Sequence, residues 1–161
     1  MLRPYRPSDA SAVTAIYAHY VRTSVCTFDT EAPDAEAMAE KFAAIAGKGH
    51  PLVIGEIAGE VAGYAYASDY RPRLGYRFTC EDSIYLAPQH AGRGYGAVLL
   101  GDILEKAKEF GFHQMIAIIA GGIAPSVKLH ERFGFKTLGV FPELGYKFDQ
   151  WVDIVHMQKA L

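Results

Sequence analysis

Residues 82–87 read as a strand closed by Pro88, and the chain then reads Gln-His-Ala-Gly-Arg-Gly-Tyr-Gly at 89–96. Beyond it Val98, Leu99, Ile103, Leu104 and Ala107 recur at helical spacing as far as Phe110, and Gly111 supplies a stop. A strand, a glycine-rich turn and a long amphipathic helix in that order restrict the chain to folds with strand-helix crossovers. Glycines at 92, 94 and 96 strip side chains from the turn, so free amide N–H groups and the positive end of the helix dipole face one point. That point suits an anion, phosphate above all. The spacing is neither GxGxxG nor a P-loop ending in GK[ST], so neither a dinucleotide nor an NTP site is supported. The plain alternative is a tight left-handed turn with no ligand.

Around this unit the pattern changes twice. Residues 2–6 read as a short extended segment, and Ser8 is placed to cap a helix carrying Val13, Ile16, Tyr17 and Tyr20 on one face. A second helix is expected from about 34, with Met38, Phe42 and Ile45 inward and Gly47 as its stop. Residues 51–57 and 61–67 read as two apolar strands joined by Ala58, Gly59 and Glu60. The loop 68–80, rich in Arg and Tyr, is long enough to suggest function. Further strands are expected at 112–120, 135–141 and 151–158, with a helix at 125–133 opened by Pro125 and stopped by Gly134. The sum is an α/β (α+β) chain with one mixed, mostly antiparallel sheet flanked by helices on both faces.

With 161 residues the chain matches one domain, 1–161. Sixteen Lys and Arg against eighteen Asp and Glu give a net charge of −2, which disfavours nucleic acid as a partner. The longest uncharged apolar stretch, 115–124, is half the ~20 residues a membrane span needs. Cys26 and Cys80 have no CxxC spacing and are expected as free thiols in a reducing cytoplasm; with prolines and charges in MLRPYRPSDA, no secretory leader is expected. The six histidines show no HxxxH or HxH pair, so no metal site is expected.

The turn resembles the acetyl-CoA pyrophosphate loop of the GNAT superfamily of N-acetyltransferases, Gln/Arg-x-x-Gly-x-Gly/Ala, laid over Ala91, Gly92, Arg93, Gly94, Tyr95 and Gly96. Ala91 stands where that pattern has Gln or Arg. The resemblance narrows to the phosphinothricin and methionine sulfoximine acetyltransferase-like branch through Glu81-Asp-Ser-Ile-Tyr-Leu-Ala-Pro88, Pro125-Ser-Val-Lys-Leu-His-Glu-Arg-Phe-Gly-Phe135 and Gly145-Tyr-Lys-Phe-Asp-Gln-Trp-Val-Asp153. Arg3-Pro4, Ala15-Ile16-Tyr17 and Thr27-Phe-Asp-Thr-Glu31 are similar to the same branch, while Ile123 replaces its usual Asn or Asp.

What the resemblance implies is a GNAT fold, acetyl-CoA as co-substrate, a small amine acceptor and a homodimer. It implies that Gly92, Arg93, Gly94, Tyr95, Gly96 and Ala97 cradle the cofactor's phosphates, that backbone groups of Leu86 and Ala87 hold its pantetheine arm as an added strand, and that Ser126 approaches the thioester. It further implies an acceptor pocket with Phe28, Arg73 and Tyr76, Arg offering a planar fork for carboxylate or phosphinate oxygens. Glu81 is the expected general base: beside Asp82, two carboxylates compete and one pKa rises. Bland readings stand beside these: a solvated edge Glu81, a helix-capping Ser126, an exposed loop charge at Arg73, a packed His130. Two rival functions stay open, acetylation of protein N-termini and acetyl-CoA binding without catalysis.

Overall fold

The computed structural model describes residues 1–121 and 123–161. Among the described residues the chain forms β1 (Leu2–Pro4), α1 (Ala10–Thr23), α2 (Ala35–Gly47), β2 (Leu52–Ile57), β3 (Glu60–Asp69), β4 (Thr79–Leu86), α3 (Tyr95–Phe110), β5 (Gln114–Ala120), α4 (Ala124–Arg132), β6 (Lys136–Lys147) and β7 (Gln150–Ala160). The strands make one sheet in the order β1-β2-β3-β4-β5-β7-β6. All neighbours are antiparallel except β4 and β5. The mixed, mostly antiparallel sheet expected from the pattern is therefore what the chain forms.

Alternation along β2 and β3 sorts the core into two layers. Val53, Ala65 and Ala67 point to one face, where Leu99, Leu100, Ile103 and Ala107 of α3 close over them. Ile54, Tyr64 and Tyr66 point to the other, against Val13, Ile16 and Tyr17 of α1 and Met38, Phe42 and Ile45 of α2. Each fully buried aliphatic or aromatic side chain contributes about 1.5–3 kcal/mol, so these two layers hold the helices on the sheet.

Four local expectations change. Ser8 does not cap α1: Pro7–Asp9 forms a 3₁₀ turn, and Asp9 takes the position before the helix. Its carboxylate accepts from the Arg6 amide and from both ends of the Arg3 guanidinium, each at 2.8 Å. That fork, assisted by charge, outcompetes a hydroxyl cap and holds the Asp9 pKa low. In α2 the helix runs through Gly47, and Gly49 at φ +71° adopts the left-handed turn; Asp34, whose carboxylate accepts from the Ala37 amide at 2.8 Å, caps its start. The β2–β3 turn is Ala58-Gly59 alone, both at positive φ, with Glu60 already in the strand. Finally β3 and β4 pair as far as Asp69 and Cys80, which trims the long loop and puts Glu81 inside a strand instead of at its entrance.

The feature that positions the site is the parallel pair. β4 and β5 match only at Thr79–Gln114, Cys80–Met115 and Glu81–Ile116, after which the strands part. β4 goes on to Leu86 and β5 to Ala120 without pairing to each other. A wedge opens in the sheet from Glu81 outward.

Candidate active site

That wedge is the floor of a cavity of about 590 Å³ lined by both splayed strands. Glu81, Asp82 and Leu86 enter it from β4, and Ala117 and Ala120 from β5. Ala91 and Gly92 of the glycine-rich turn, Ser126 and His130 of α4, and Tyr20, Cys26, Thr27 and Phe28 complete the walls. Of the residues expected from sequence, the structure thus brings together Glu81, Leu86, Gly92, Ser126 and Phe28. Arg93, Gly94, Tyr95, Gly96 and Ala97 continue the turn into α3 beyond this lining. Arg73 and Tyr76 lie exposed on the 70–78 loop, outside the lining.

The turn has the backbone an anion cradle needs. Gly92 and Gly94 sit at φ +74° and +87°, and a Cβ at either would meet nothing within 4 Å, so both face open space. Gly94 is the residue before α3, and the amides that follow have no partner inside the helix. Ala97 is the exception, its amide closing the first turn on the Gly94 carbonyl at 3.0 Å. Gly96 has a packing reason too: a Cβ there would lie 3.4 Å from Leu129 of α4.

Along β4 the Ala87 amide donates to the Ala62 carbonyl, and the Ala87 carbonyl accepts from the His90 amide, both at 2.8 Å. Main-chain groups alternate in direction along a strand, so those of Asp82, Ile84 and Leu86 face the wedge. There the Tyr20 hydroxyl donates to the Leu86 carbonyl at 2.7 Å. Leu86 therefore presents its amide, whereas Ala87 is already engaged on both sides.

Glu81 is half-buried, and its carboxyl is held above its ordinary pKa, first by burial and then by the charge of Asp82, with Arg71 opposing. The loop arginine whose charge Glu81 feels is thus Arg71. Asp82 turns to His130: Oδ2 lies 3.1 Å from Nε2, while Nδ1 lies 2.8 Å from the Ser126 carbonyl. A carbonyl only accepts, so Nδ1 carries a hydrogen and one proton lies between Nε2 and Oδ2. Burial alone would lower the His130 pKa; the Asp82 bond and charge, with the Ser126 carbonyl, outweigh it and raise it. Asp82 Oδ1 is buried without a partner among the described residues. Ser126 does not cap α4, which has no side-chain cap.

Sequence reasoning missed the Asp82–His130 bond, Tyr20 and the partners of Lys147, a residue it set with Tyr146 and Trp151 in the last hairpin as closing either the pocket or an interface. Lys147 is buried, and its Nζ donates to the Ser24 and Thr27 carbonyls at 2.9 and 2.6 Å. The Gly145-Tyr-Lys-Phe run already noted gave one clue. Cys26 and Cys80 carry free thiols, both pushed up by burial, Cys80 to about 12. Among the described residues no three metal-ligating side chains converge, and no helix is long and apolar enough to cross a membrane.

Comparison with known proteins gives the same outline. Residues 13–135 match the acetyltransferase (GNAT) family. The chain is 41% identical over 161 residues to phosphinothricin N-acetyltransferase of Alcaligenes faecalis, covering 99% of this chain and 82% of that one. It is 38% identical over 155 residues to an L-methionine sulfoximine/L-methionine sulfone acetyltransferase of Pseudomonas paraeruginosa, covering 96% and 90%. Its fold superposes with TM-score 0.98 on a phosphinothricin acetyltransferase from Sinorhizobium meliloti solved with AcCoA, at 40% identity and covering 100% and 88%.

Proposed function

The chain belongs to the acetyltransferase (GNAT) family, and from that premise we propose that it moves the acetyl group of acetyl-CoA directly to the amino group of a small amino-acid acceptor. The acceptor class is that of phosphinothricin, methionine sulfoximine and methionine sulfone, the substrates named for its relatives. One observation carries the reading: a carboxyl with a raised pKa, Glu81, stands in the apex of the wedge whose far end leads to the glycine cradle. Glu81 takes the ammonium proton through one water, freeing the nitrogen lone pair to attack the thioester carbonyl. The carbon–sulfur bond then breaks and the thiol leaves with a proton.

The expected site residues divide the work. Amides of the turn from Gly92 to Gly96 and the α3 dipole receive the phosphates, and Leu86 with its neighbours on the β4 edge takes the pantetheine arm as an added strand. Ser126 faces the thioester. Direct transfer is supported by the thiols: burial keeps Cys26 and Cys80 protonated, so neither is an activated nucleophile. Their unpaired state fits a reducing cytoplasm. Thiol release from acetyl-CoA, measured acceptor by acceptor, tests the assignment.

Acceptor recognition falls to Phe28 in the cavity wall and to Arg73 and Tyr76 of the exposed 70–78 loop, whose Arg71 acts on Glu81 through charge. Arg73→Lys keeps charge but loses the fork, and Arg73→Ala loses both. Either is expected to lower kcat/KM for acceptors bearing a carboxylate or phosphinate by roughly tenfold to a hundredfold, Ala more than Lys. Amines without an acidic group should barely change. Equal losses for both classes would move Arg73 out of the acceptor pocket.

The homodimer has its own support. β6 is an outer edge of the sheet, and Leu138, Val140, Leu144, Tyr146 and Trp151 are exposed on its hairpin. An edge strand with that much apolar surface suits a second copy of the chain. Light scattering after size exclusion is expected to give a dimer, and Leu144→Glu with Trp151→Glu a monomer; a wild-type monomer would contradict the assignment.

A further inference from the structure

A lysine is rarely taken out of water unless its donors are matched. Lys147 is 3% exposed, and its two hydrogen-bond partners are neutral carbonyl oxygens of a distant turn, Ser24 and Thr27. We propose that Lys147 is a positioning residue for the acceptor: its ammonium latches residues 24–29 onto the β6–β7 hairpin and thereby fixes Phe28 in the cavity wall. The inference rests on the reading that this cavity is where the acceptor meets the acetyl group.

Three observations converge on the latch. Cys26, Thr27 and Phe28, the residues between and beside the latched carbonyls, line the cavity. The Phe28 ring lies directly over Gly145, two residues before Lys147, where a Cβ would fall 2.2 Å from Phe28 Cζ. From the opposite side, the Tyr17 hydroxyl of α1 lies 2.7 Å from both Thr27 Oγ1 and Asp29 Oδ2. The segment is therefore pinned at two points, one on a helix and one on the hairpin, with Phe28 between hairpin and cavity.

Direction along the hairpin separates this role from the exposed patch. Tyr146 and Trp151 form a cross-strand aromatic pair with centroids 4.9 Å apart and stay exposed, while Gly145 and Lys147, on the alternate positions, turn toward residues 24–28. A neutral side chain of similar length at 147 would fill the same space but leave two carbonyl oxygens without donors. Those carbonyls regain partners only by moving toward water, and Phe28 moves with them. Among the described residues no hydrogen bond joins the glycine turn to residues 24–29 or to Lys147.

The test uses the full chain with acetyl-CoA and methionine sulfone. Lys147→Met is expected to raise the KM for methionine sulfone about tenfold, with the KM for acetyl-CoA changed by less than about twofold. Gly145→Ala displaces Phe28 from behind while leaving the ammonium in place, and the same selective rise is expected. Since both act through one ring, Lys147→Met added to Phe28→Ala should cost little more than Phe28→Ala alone. Hydrogen exchange supplies a readout independent of any acceptor: amides 24–29 should exchange faster in Lys147→Met, with β5 unchanged. A parallel rise in both KM values, additive losses in the double variant, or unchanged exchange at 24–29 would overturn the latch. If the wild-type chain transfers acetyl to no amine, the acetyltransferase reading fails, and the exchange experiment alone decides whether Lys147 positions the segment.

Discussion

Glu81→Gln is expected to lower kcat about a hundredfold or more at neutral pH while leaving acetyl-CoA affinity as it was. The substitution keeps the size of the side chain and removes its proton affinity. Glu81 works as a base only when ionised, and burial together with Asp82 holds its pKa above the ordinary value. Wild-type activity should therefore fall as pH drops through that raised value, and Glu81→Gln should lose this acidic limb. Stability runs the opposite way. A carboxyl whose pKa is higher in the fold than in the unfolded chain contributes stability that is fully present below its ordinary pKa and lost as pH rises through the raised one. At neutral pH Gln removes a disfavoured charge, so the variant should melt at the same temperature or higher. A variant with wild-type kcat and an intact acidic limb would exclude Glu81 as the base.

Gly94→Leu is expected to raise the KM for acetyl-CoA tenfold or more and to leave the acceptor KM in place. At φ +87° a side chain is strained, a cost of about 1–3 kcal/mol. It also projects into the open space above the cradle, where the phosphates would sit. Gly59 separates the two effects, since it has φ +84°, an equally open Cβ position and a place in the β2–β3 turn. Gly59→Leu should lower the melting temperature by a similar amount with both KM values unchanged. If Gly94→Leu behaves like Gly59→Leu, the turn does not hold the cofactor.

The sequence carried those features that depend on local pattern. The apolar repeat of α3, its glycine stop, the start of α2 near residue 34 and the period-2 strands were legible because each is fixed by residues within a few positions. Ser8 misled because Asp9 competes with it, held by the Arg6 amide three residues before and by the Arg3 guanidinium of β1, and charge won over a hydroxyl. The wedge could not be read: the divergence of β4 and β5 after Glu81 is set by how the parallel pair docks, with 30 residues or more between the partners. The same holds for Lys147, whose partners lie 123 and 120 residues away. Among the three arginines of the 70–78 loop, spacing gave no reason to prefer Arg71, which the structure couples to Glu81 through charge. Glu81, Gly92, Ser126 and Phe28 line one cavity, each carried there by a segment that the sequence singled out.

The central claim, transfer of acetyl from acetyl-CoA to the amine of an amino-acid acceptor, is tested most directly by following free thiol and product together. The wild-type chain with acetyl-CoA and methionine sulfoximine, methionine sulfone or phosphinothricin is expected to release thiol only when acceptor is present, in a one-to-one ratio with product acetylated on nitrogen. Binding of acetyl-CoA without acceptor-dependent thiol release from any of the three would contradict it.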